Sequence, residues 1–289
     1  MKPEYHVDLL HNTNLFESLD SGPLYPRGMA NSEPKKIIIV GGSLGGLFAG
    51  IVLFRLGHDV TILERTPSGT LIDQGAGISI STVVPSIYES FKSLTSSGSP
   101  ILEFFNEYDR TGTQYYVNLP DAMQFLKRDG SVKATITGKV PNASTSWGLL
   151  YSLLRANFDG RYEEGFIAGA EGSEGDGKAE YRTGLRVCEI EAAGSDQVNV
   201  HYEDNSGKKS FTEANLVIGA DGPSSSVKKL MQPEAERTYS GYVAWRGMVR
   251  EDLLSKETEN ILKDNLTFFY YKGGHVVMSE FPFSTLNCD

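Results

Sequence analysis

The chain has 289 residues, 39% hydrophobic and 22% charged, and a formal net charge of -10, which argues against nucleic acid or an anionic membrane as its main partner. Two distant cysteines, Cys188 and Cys288, support neither a disulfide framework nor a zinc site and fit a reducing compartment. No apolar run reaches transmembrane length, and the N-terminus carries acids and histidine where a signal peptide needs an apolar core, so the expected location is cytoplasmic.

Residues 1–34 mix Pro, Gly, Asn and Ser without sustained periodicity and read as a loosely ordered extension, with room for a short helix around Leu9–Leu19. The stretch Lys36–Glu64 is a β–turn–α–β unit. The run Ile37–Val40 enters glycines at Gly41, Gly42, Gly45 and Gly46, an apolar helical segment stops at Gly57, and a second strand, Val60–Leu63, ends on Glu64. Gly41 can make the tight turn and Gly46 lets the helix lie close to the sheet, while free N–H groups at the helix start can hold a pyrophosphate. Glu64 follows Gly41 by 23 residues, where an acid accepts hydrogen bonds from an adenosine ribose and would repel a 2′-phosphate. Ser43 replaces the second glycine of G-x-G-x-x-G; its Cβ narrows the phosphate approach, and its hydroxyl can donate a hydrogen bond. A tight strand-to-helix turn of an ordinary α/β protein is the plain alternative. The order of strand, helix, strand and acid favours a dinucleotide without saying which one.

Beyond Glu64, Gly75-Ala76-Gly77-Ile78 suggests backbone running close to a flat ligand, or simply a mobile glycine loop. Helical spacing of Val84, Ile87, Tyr88, Phe91 and Leu94 predicts a helix within Ser81–Leu102. Tyr108–Leu126 reads as strand-like, including Gln114–Leu119, with Tyr115 and Tyr116 as sheet core rather than pocket lining. Ser144–Trp147 caps a helix over Gly148–Phe158, with Leu149, Leu150, Leu153 and Leu154 on its apolar face and Arg155 as a solvated flank. Gly165–Glu180 reads as a flexible surface loop.

From Leu185 the period becomes alternating, predicting short strands at Leu185–Glu191, Gln197–Tyr202 and Lys209–Thr212. A buried-looking strand, Leu216–Gly219, then delivers Asp221-Gly222-Pro223-Ser224, read either as a turn plus helix cap or as a second approach to the dinucleotide. Tyr239–Arg250, a helical patch near Asp252–Leu266 and strands Thr267–Tyr271 and His275–Phe281 make a second sheet. Tyr242, Trp245 and Arg246 either face a substrate or nicotinamide or belong to sheet packing with a surface Arg.

Four landmarks together resemble the single-component FAD-dependent aromatic hydroxylases, the para-hydroxybenzoate hydroxylase superfamily, over about residues 35–285: GGSLGG with Glu64-Arg65, GAGI at Gly75–Ile78, GADGPSSSVKK at Gly219–Lys229, and YVAWRG at Tyr242–Gly247. GGSLGG with YVAWRG looks most like the 2,6-dihydroxypyridine hydroxylase branch, in which Ser at the second glycine position is usual. The resemblance implies an α/β fold, with a Rossmann-like FAD-binding domain carrying a β-meander and an incomplete α+β substrate domain. The divisions expected are an extension at 1–34, an FAD-binding domain at 35–235 with a substrate-facing segment inserted at about 80–145, and a partial substrate-domain sheet at 236–289. By position, Gly41, Gly42, Ser43, Gly45 and Gly46 would serve the FAD pyrophosphate and Glu64 with Arg65 the adenosine end. Ala76 and Gly77 would run along the flavin, and Asp221 and Gly222 match a motif associated with both FAD and NAD(P)H.

The implied activity is hydroxylation of a small aromatic or N-heteroaromatic ring through a flavin C4a-hydroperoxide, with NAD(P)H and O₂ as co-substrates and a homodimer allowed; no metal site or catalytic triad is expected, and no histidine sits in a metal constellation. Three departures accompany the resemblance. Lys228 stands for the usual Arg, Trp147 stands where many members have an Arg, and no late Gly-Asp motif precedes Asp289, so the chain reads as C-terminally truncated. The alternative reading is an inactive or regulatory FAD-binding fragment, or a truncated gene model.

Overall fold

The computed structural model describes residues 33–67, 77–81, 108–112, 120–137, 142–160, 167 and 169–280. The N-terminal extension, the helix expected within Ser81–Leu102, the Gln114–Leu119 segment, Ala76 and the end of the last expected strand lie outside these residues.

β1 (Lys36–Val40) leads into α1 (Leu44–Arg55) and then β2 (Asp59–Leu63), with β1 and β2 parallel and Val40 opposite Leu63. A parallel strand covered on both faces needs an unbroken apolar run, and Ile37–Val40 provide it, each no more than 4% exposed. The period of two then sorts them. Ile37 and Ile39 join a core with Leu47, Ile51 and Phe54 of α1 and Leu149, Leu153 and Leu154 of α2 (Trp147–Phe158). Ile38 and Val40 face the opposite way, toward Val187, Val200, Tyr202 and Ala214 of a three-stranded meander, β8 (Leu185–Ala192), β9 (Val198–Asp204) and β10 (Lys209–Ala214). The result is helices, parallel sheet and meander in three layers.

The parallel sheet has the order β11-β1-β2-β7, with β7 at Ala179–Arg182 and β11 at Leu216–Gly219. A smaller pair, β3 (Gly77–Ser81) and β6 (Asn142–Ser146), is antiparallel. A second four-stranded sheet, β13-β12-β4-β5, joins β4 (Ala122–Leu126) and β5 (Val132–Thr137) to β12 (Asn265–Tyr271) and β13 (Gly274–Met278). α3 (Ser226–Met231) and α4 (Lys256–Leu262) are single short helices, and among the described residues no helix is long and apolar enough to cross a membrane.

Five expectations need correction. The loop expected through Glu180 gives up its end to β7, whose Ala179–Arg182 extend the parallel ladder beside β2. Of the strand-like stretch Tyr108–Leu126, only Ala122–Leu126 is a described strand. β11 looks buried by composition, but it pairs only with β1 among the described strands, and Leu216 is 44% exposed. Tyr239–Arg250 forms no strand and lies exposed, because aromatic and β-branched residues acquire strand structure only from a pairing partner. Arg155 is no solvated flank; its side chain is 17% exposed, for reasons given below.

Candidate functional site

Because β1 and β11 are parallel, both deliver their carboxyl ends to the same sheet edge, Val40 opposite Gly219. The Ala220 N–H donates to the Val40 carbonyl at 2.7 Å, and the chain turns away immediately afterwards on both strands. Gly41 turns with φ +103°, and a Cβ there would lie 2.5 Å from the Ala220 oxygen and 2.6 Å from the Asp221 Cα. The glycine turn and the Asp-Gly turn, 180 residues apart, are therefore in contact, and only a glycine fits between them. At this edge the chain leaves β1 for α1 and leaves β11 for α3, and the carboxyl ends of the strands are where open α/β sheets bind ligands.

The glycines of the loop do different jobs. A Cβ on Gly46 would lie 2.0 Å from the Gly41 carbonyl oxygen, so α1 begins hard against the turn. A Cβ on Gly42 would lie 2.1 Å from the Tyr181 hydroxyl. Gly45 is exposed, and nothing stands within 4 Å of its Cβ position, so no atom of the chain explains the missing side chain there. Ser43 is the N-cap residue of α1 but makes no side-chain cap; the first α-helical bond runs from the Leu47 N–H to its carbonyl at 3.0 Å. The helix start thus keeps donors that its own cap does not take, with an open approach at Gly45.

Glu64 is 6% exposed and already committed. One carboxylate oxygen accepts from the Gly42 N–H at 2.7 Å and the other from the Thr66 N–H at 2.8 Å. Each oxygen keeps lone-pair capacity for a further donor, so the acid holds the loop and can still receive a ribose hydroxyl. Arg65 beside it is exposed and lines an open groove with Thr66, Pro67, Arg186 and the turn at residues 203–207.

The other face of the loop is occupied by a network that spacing does not reveal. The Tyr181 hydroxyl donates to the Gly42 carbonyl at 2.7 Å and lies 3.1 Å from the Tyr151 hydroxyl. Arg155 donates to the Tyr151 hydroxyl at 3.1 Å and stacks 3.7 Å above the Tyr181 ring. Asp159 holds the guanidinium from behind through two contacts of 3.2 and 2.8 Å. Burial acts against the Arg155 charge, but the Asp159 contacts prevail and its pKa is raised. Burial, with Tyr151 and Glu64 nearby, pushes the Tyr181 phenol up, so it stays a donor throughout the ordinary pH range. Trp147, which stands in place of the Arg that the resemblance implies for many members, stacks on Tyr151 with ring centroids 4.8 Å apart.

Asp221 behaves first as a cap. Its carboxylate accepts from the Ser225 and Ser226 hydroxyls and from the backbone N–H groups of Ser226 and Val227, while Ser225 caps α3 through the Lys228 N–H. Burial pushes its pKa up, but these donors outweigh burial and hold it below the usual aspartate range. A depressed folded value means stability that is present above the unfolded pKa and lost as pH falls through the folded one. Asp221→Asn is accordingly expected to cost about 1 kcal/mol at pH 7, and the gap from the parent should close toward pH 3. Urea unfolding at the two pH values reads this; equal gaps would remove the carboxylate's role.

Gly77 opens β3 opposite Ser146, whose hydroxyl accepts from the Leu149 N–H to cap α2, so Gly77 lies beside that helix start. Gly222 turns at φ +74° with open space at its Cβ position. Tyr242, Trp245 and Arg246 lie in the irregular segment, with Trp245 92% exposed, and are not gathered into the glycine-loop contacts. One grouping absent from the spacing comes from the β8–β9 register: Glu189, Glu191 and His201 share a face, with His201 3.3 Å from Glu191 and three potential ligand atoms within 4.8 Å of one another.

A family model described as FAD binding domain-like matches residues 239–287. The chain is 29% identical over 248 residues to 2,6-dihydroxypyridine 3-monooxygenase of Paenarthrobacter nicotinovorans, covering 86% of this chain and 51% of that protein. It is 26% identical over 224 residues to 3-hydroxybenzoate 6-hydroxylase of Polaromonas naphthalenivorans (strain CJ2), covering 76% and 47%. The solved structure of 2,6-dihydroxypyridine-3-hydroxylase from Arthrobacter nicotinovorans superposes with a TM-score of 0.59 at 26% identity, covering 87% of this chain and 53% of that one. The chain thus spans about half the length of the curated relatives it matches.

Proposed function

We propose that this chain, which is similar to FAD-dependent aromatic hydroxylases, binds FAD at the carboxyl edge of its parallel sheet and acts in hydroxylation of a small aromatic or N-heteroaromatic ring, with NAD(P)H and O₂ as co-substrates. The observation that carries the reading is the contact between the Gly41 turn and the Asp221 turn, which joins two of the landmark motifs into one cradle. The start of α1, from Ser43 through Gly46, would take the pyrophosphate through backbone N–H groups, and the open position at Gly45 leaves room for it. Glu64 would receive the adenosine ribose, Arg65 would flank it, and Gly77 with Ala76 would run beside the isoalloxazine. Asp221 and Gly222 complete the cradle from β11. FAD, when bound, supplies the redox chemistry that reduces oxygen and delivers one oxygen atom to the ring.

What the chain itself supplies is orientation. The buried acid at Glu64 fixes the loop and would repel a 2′-phosphate, and the rigid start of α1 presents donors without further ordering. Tyr242, Trp245 and Arg246 are proposed to meet the substrate or nicotinamide, which their exposure leaves them free to do. We place the domain division as expected, with residues 35–235 forming the cofactor domain and 236–289 part of a substrate sheet, in a cytoplasmic protein.

Gly45→Ala is the discriminating substitution. No chain atom lies within 4 Å of the new methyl, and alanine improves helix propensity by about 1 kcal/mol over glycine, so folding should be unharmed or improved. FAD affinity, read by quenching of flavin fluorescence on titration, should fall at least about tenfold because the methyl enters the phosphate approach. Unchanged affinity would move the cofactor elsewhere. Failure of the parent chain to bind FAD at all would overturn the FAD reading for this chain, whereas FAD binding without NAD(P)H oxidation would favour the second reading, an inactive or regulatory FAD-binding fragment.

A further inference from the structure

We infer that Tyr181, with Tyr151 and Arg155 behind it, is a positioning relay that grips the Gly42 peptide from outside the motif and sets the direction of the phosphate-loop amides. The inference rests on the FAD reading for its ligand but on the geometry alone for its grip.

Gly42 is held from two sides. Its N–H points to Glu64 at 2.7 Å and its carbonyl receives the Tyr181 hydroxyl at 2.7 Å. The peptide planes on both sides of this residue are thereby fixed, immediately before the amides that open α1. The direction of the relay is settled by its far end. A guanidinium can only donate, so Arg155 donates a hydrogen bond to the Tyr151 oxygen; the Tyr151 hydroxyl then donates to the Tyr181 oxygen, and Tyr181 donates to the Gly42 carbonyl. Every hydroxyl gives once and accepts once, so neither phenol is left with an idle donor in a half-buried site. Asp159, one turn beyond Arg155 on α2, anchors the guanidinium, whose face also rests on the Tyr181 ring.

The relay spans three elements. Tyr151, Arg155 and the α2 C-cap residue Asp159 ride on α2, Tyr181 on β7, and Gly42 on the turn after β1. The start of α2 is capped by Ser146, which stands opposite Gly77 on the neighbouring strand. Two glycine segments assigned to one cofactor are thus mechanically connected through α2: a shift of that helix would reach the Gly42 carbonyl through the hydroxyls and Gly77 through β6.

The test compares Tyr181→Phe, Tyr151→Phe and the parent chain, each as the full chain, by two readouts. The first is amide hydrogen exchange in the FAD-free protein; the second is FAD affinity by flavin fluorescence. Tyr181→Phe should speed exchange over residues 41–46 about tenfold with no change in the interior of β1 or β8, and should weaken FAD about five- to tenfold, the loss of one buried hydrogen bond. Tyr151→Phe leaves the Tyr181–Gly42 bond in place and should give the same pattern at smaller amplitude. A role in general stability would instead raise exchange across the whole sheet, which would overturn the relay. Unchanged loop exchange in both variants would overturn it too. Faster loop exchange in Tyr181→Phe, with no FAD binding even by the parent, would keep the grip and defeat only the FAD reading.

Discussion

Gly46→Ala is expected to be among the most damaging single methyl additions to this chain, lowering stability by about 3 kcal/mol or more. The added carbon would sit 2.0 Å from the Gly41 carbonyl oxygen and 3.4 Å from an Ile39 methyl. No flexible side-chain end can swing away, because the obstructing atom belongs to a backbone fixed on both sides. Gly41 itself is pressed against Ala220 and donates its N–H to the Leu63 carbonyl at 2.9 Å. Relief therefore requires α1 to move off the sheet, which would uncover Leu47 and Ile51, both fully buried. Those two side chains would forfeit burial worth roughly 2 kcal/mol each if exposed, so the displaced arrangement offers little escape. Chemical denaturation should show the loss directly. Gly45→Ala, one residue earlier, should show none, and equal destabilisation of the two variants would contradict the geometry.

Replacement of Glu64 by alanine should remove FAD binding and cost about 3 kcal/mol of folding stability, from two backbone donors left without acceptors. The Gly42 and Thr66 N–H groups both point at this carboxylate, which is 6% exposed, so water cannot readily substitute. Glu64→Gln separates the two contributions. The amide oxygen can satisfy one N–H, but its NH₂ then faces the other donor, so the stability loss should be about half that of alanine while FAD affinity still drops at least about thirtyfold. Calorimetry of the apo variants alongside fluorescence titration reads both quantities. A glutamine variant that binds FAD as the parent does would leave Glu64 a purely structural acid.

Much of the parallel sheet and its meander is legible in the sequence. β1, α1 and β2 could be read because each obeys a local rule: an unbroken β-branched run, a glycine-bounded apolar helix, and a second strand ending on an acid. The meander was equally plain, since Val200 and Tyr202 alternate with outward residues along β9. What sequence could not supply was pairing. That Ala179–Arg182 would join β2, placing Tyr181 over Gly42, depends on a partner about 120 residues earlier in the chain. The same dependence hid the true state of Arg155: a lone cation beside leucines looks solvated until Tyr181 and Asp159 are brought around it. Composition misled most at Tyr239–Arg250, where strand-forming residues stand exposed without a ladder to join. The aspartate of the Asp-Gly turn was read both ways, and the cap is the role its contacts display.

The strand order β11-β1-β2-β7 also governs when the cradle can exist during synthesis. β1, α1 and β2 leave the ribosome together, yet β1 has β11 as its neighbour on the other side, at Leu216–Gly219. Ile37 and its partner Leu216 are 179 residues apart, a length that takes roughly 10 to 40 seconds to make at ordinary elongation speeds, during which the Ile37–Val40 run has one flank without its strand. The turn at Gly41 meets Ala220 only after that interval. A nascent chain of this kind carries its glycine loop early and completes the cradle only once β11 has emerged, and the open edge of β1 is the segment a chaperone would have reason to shield.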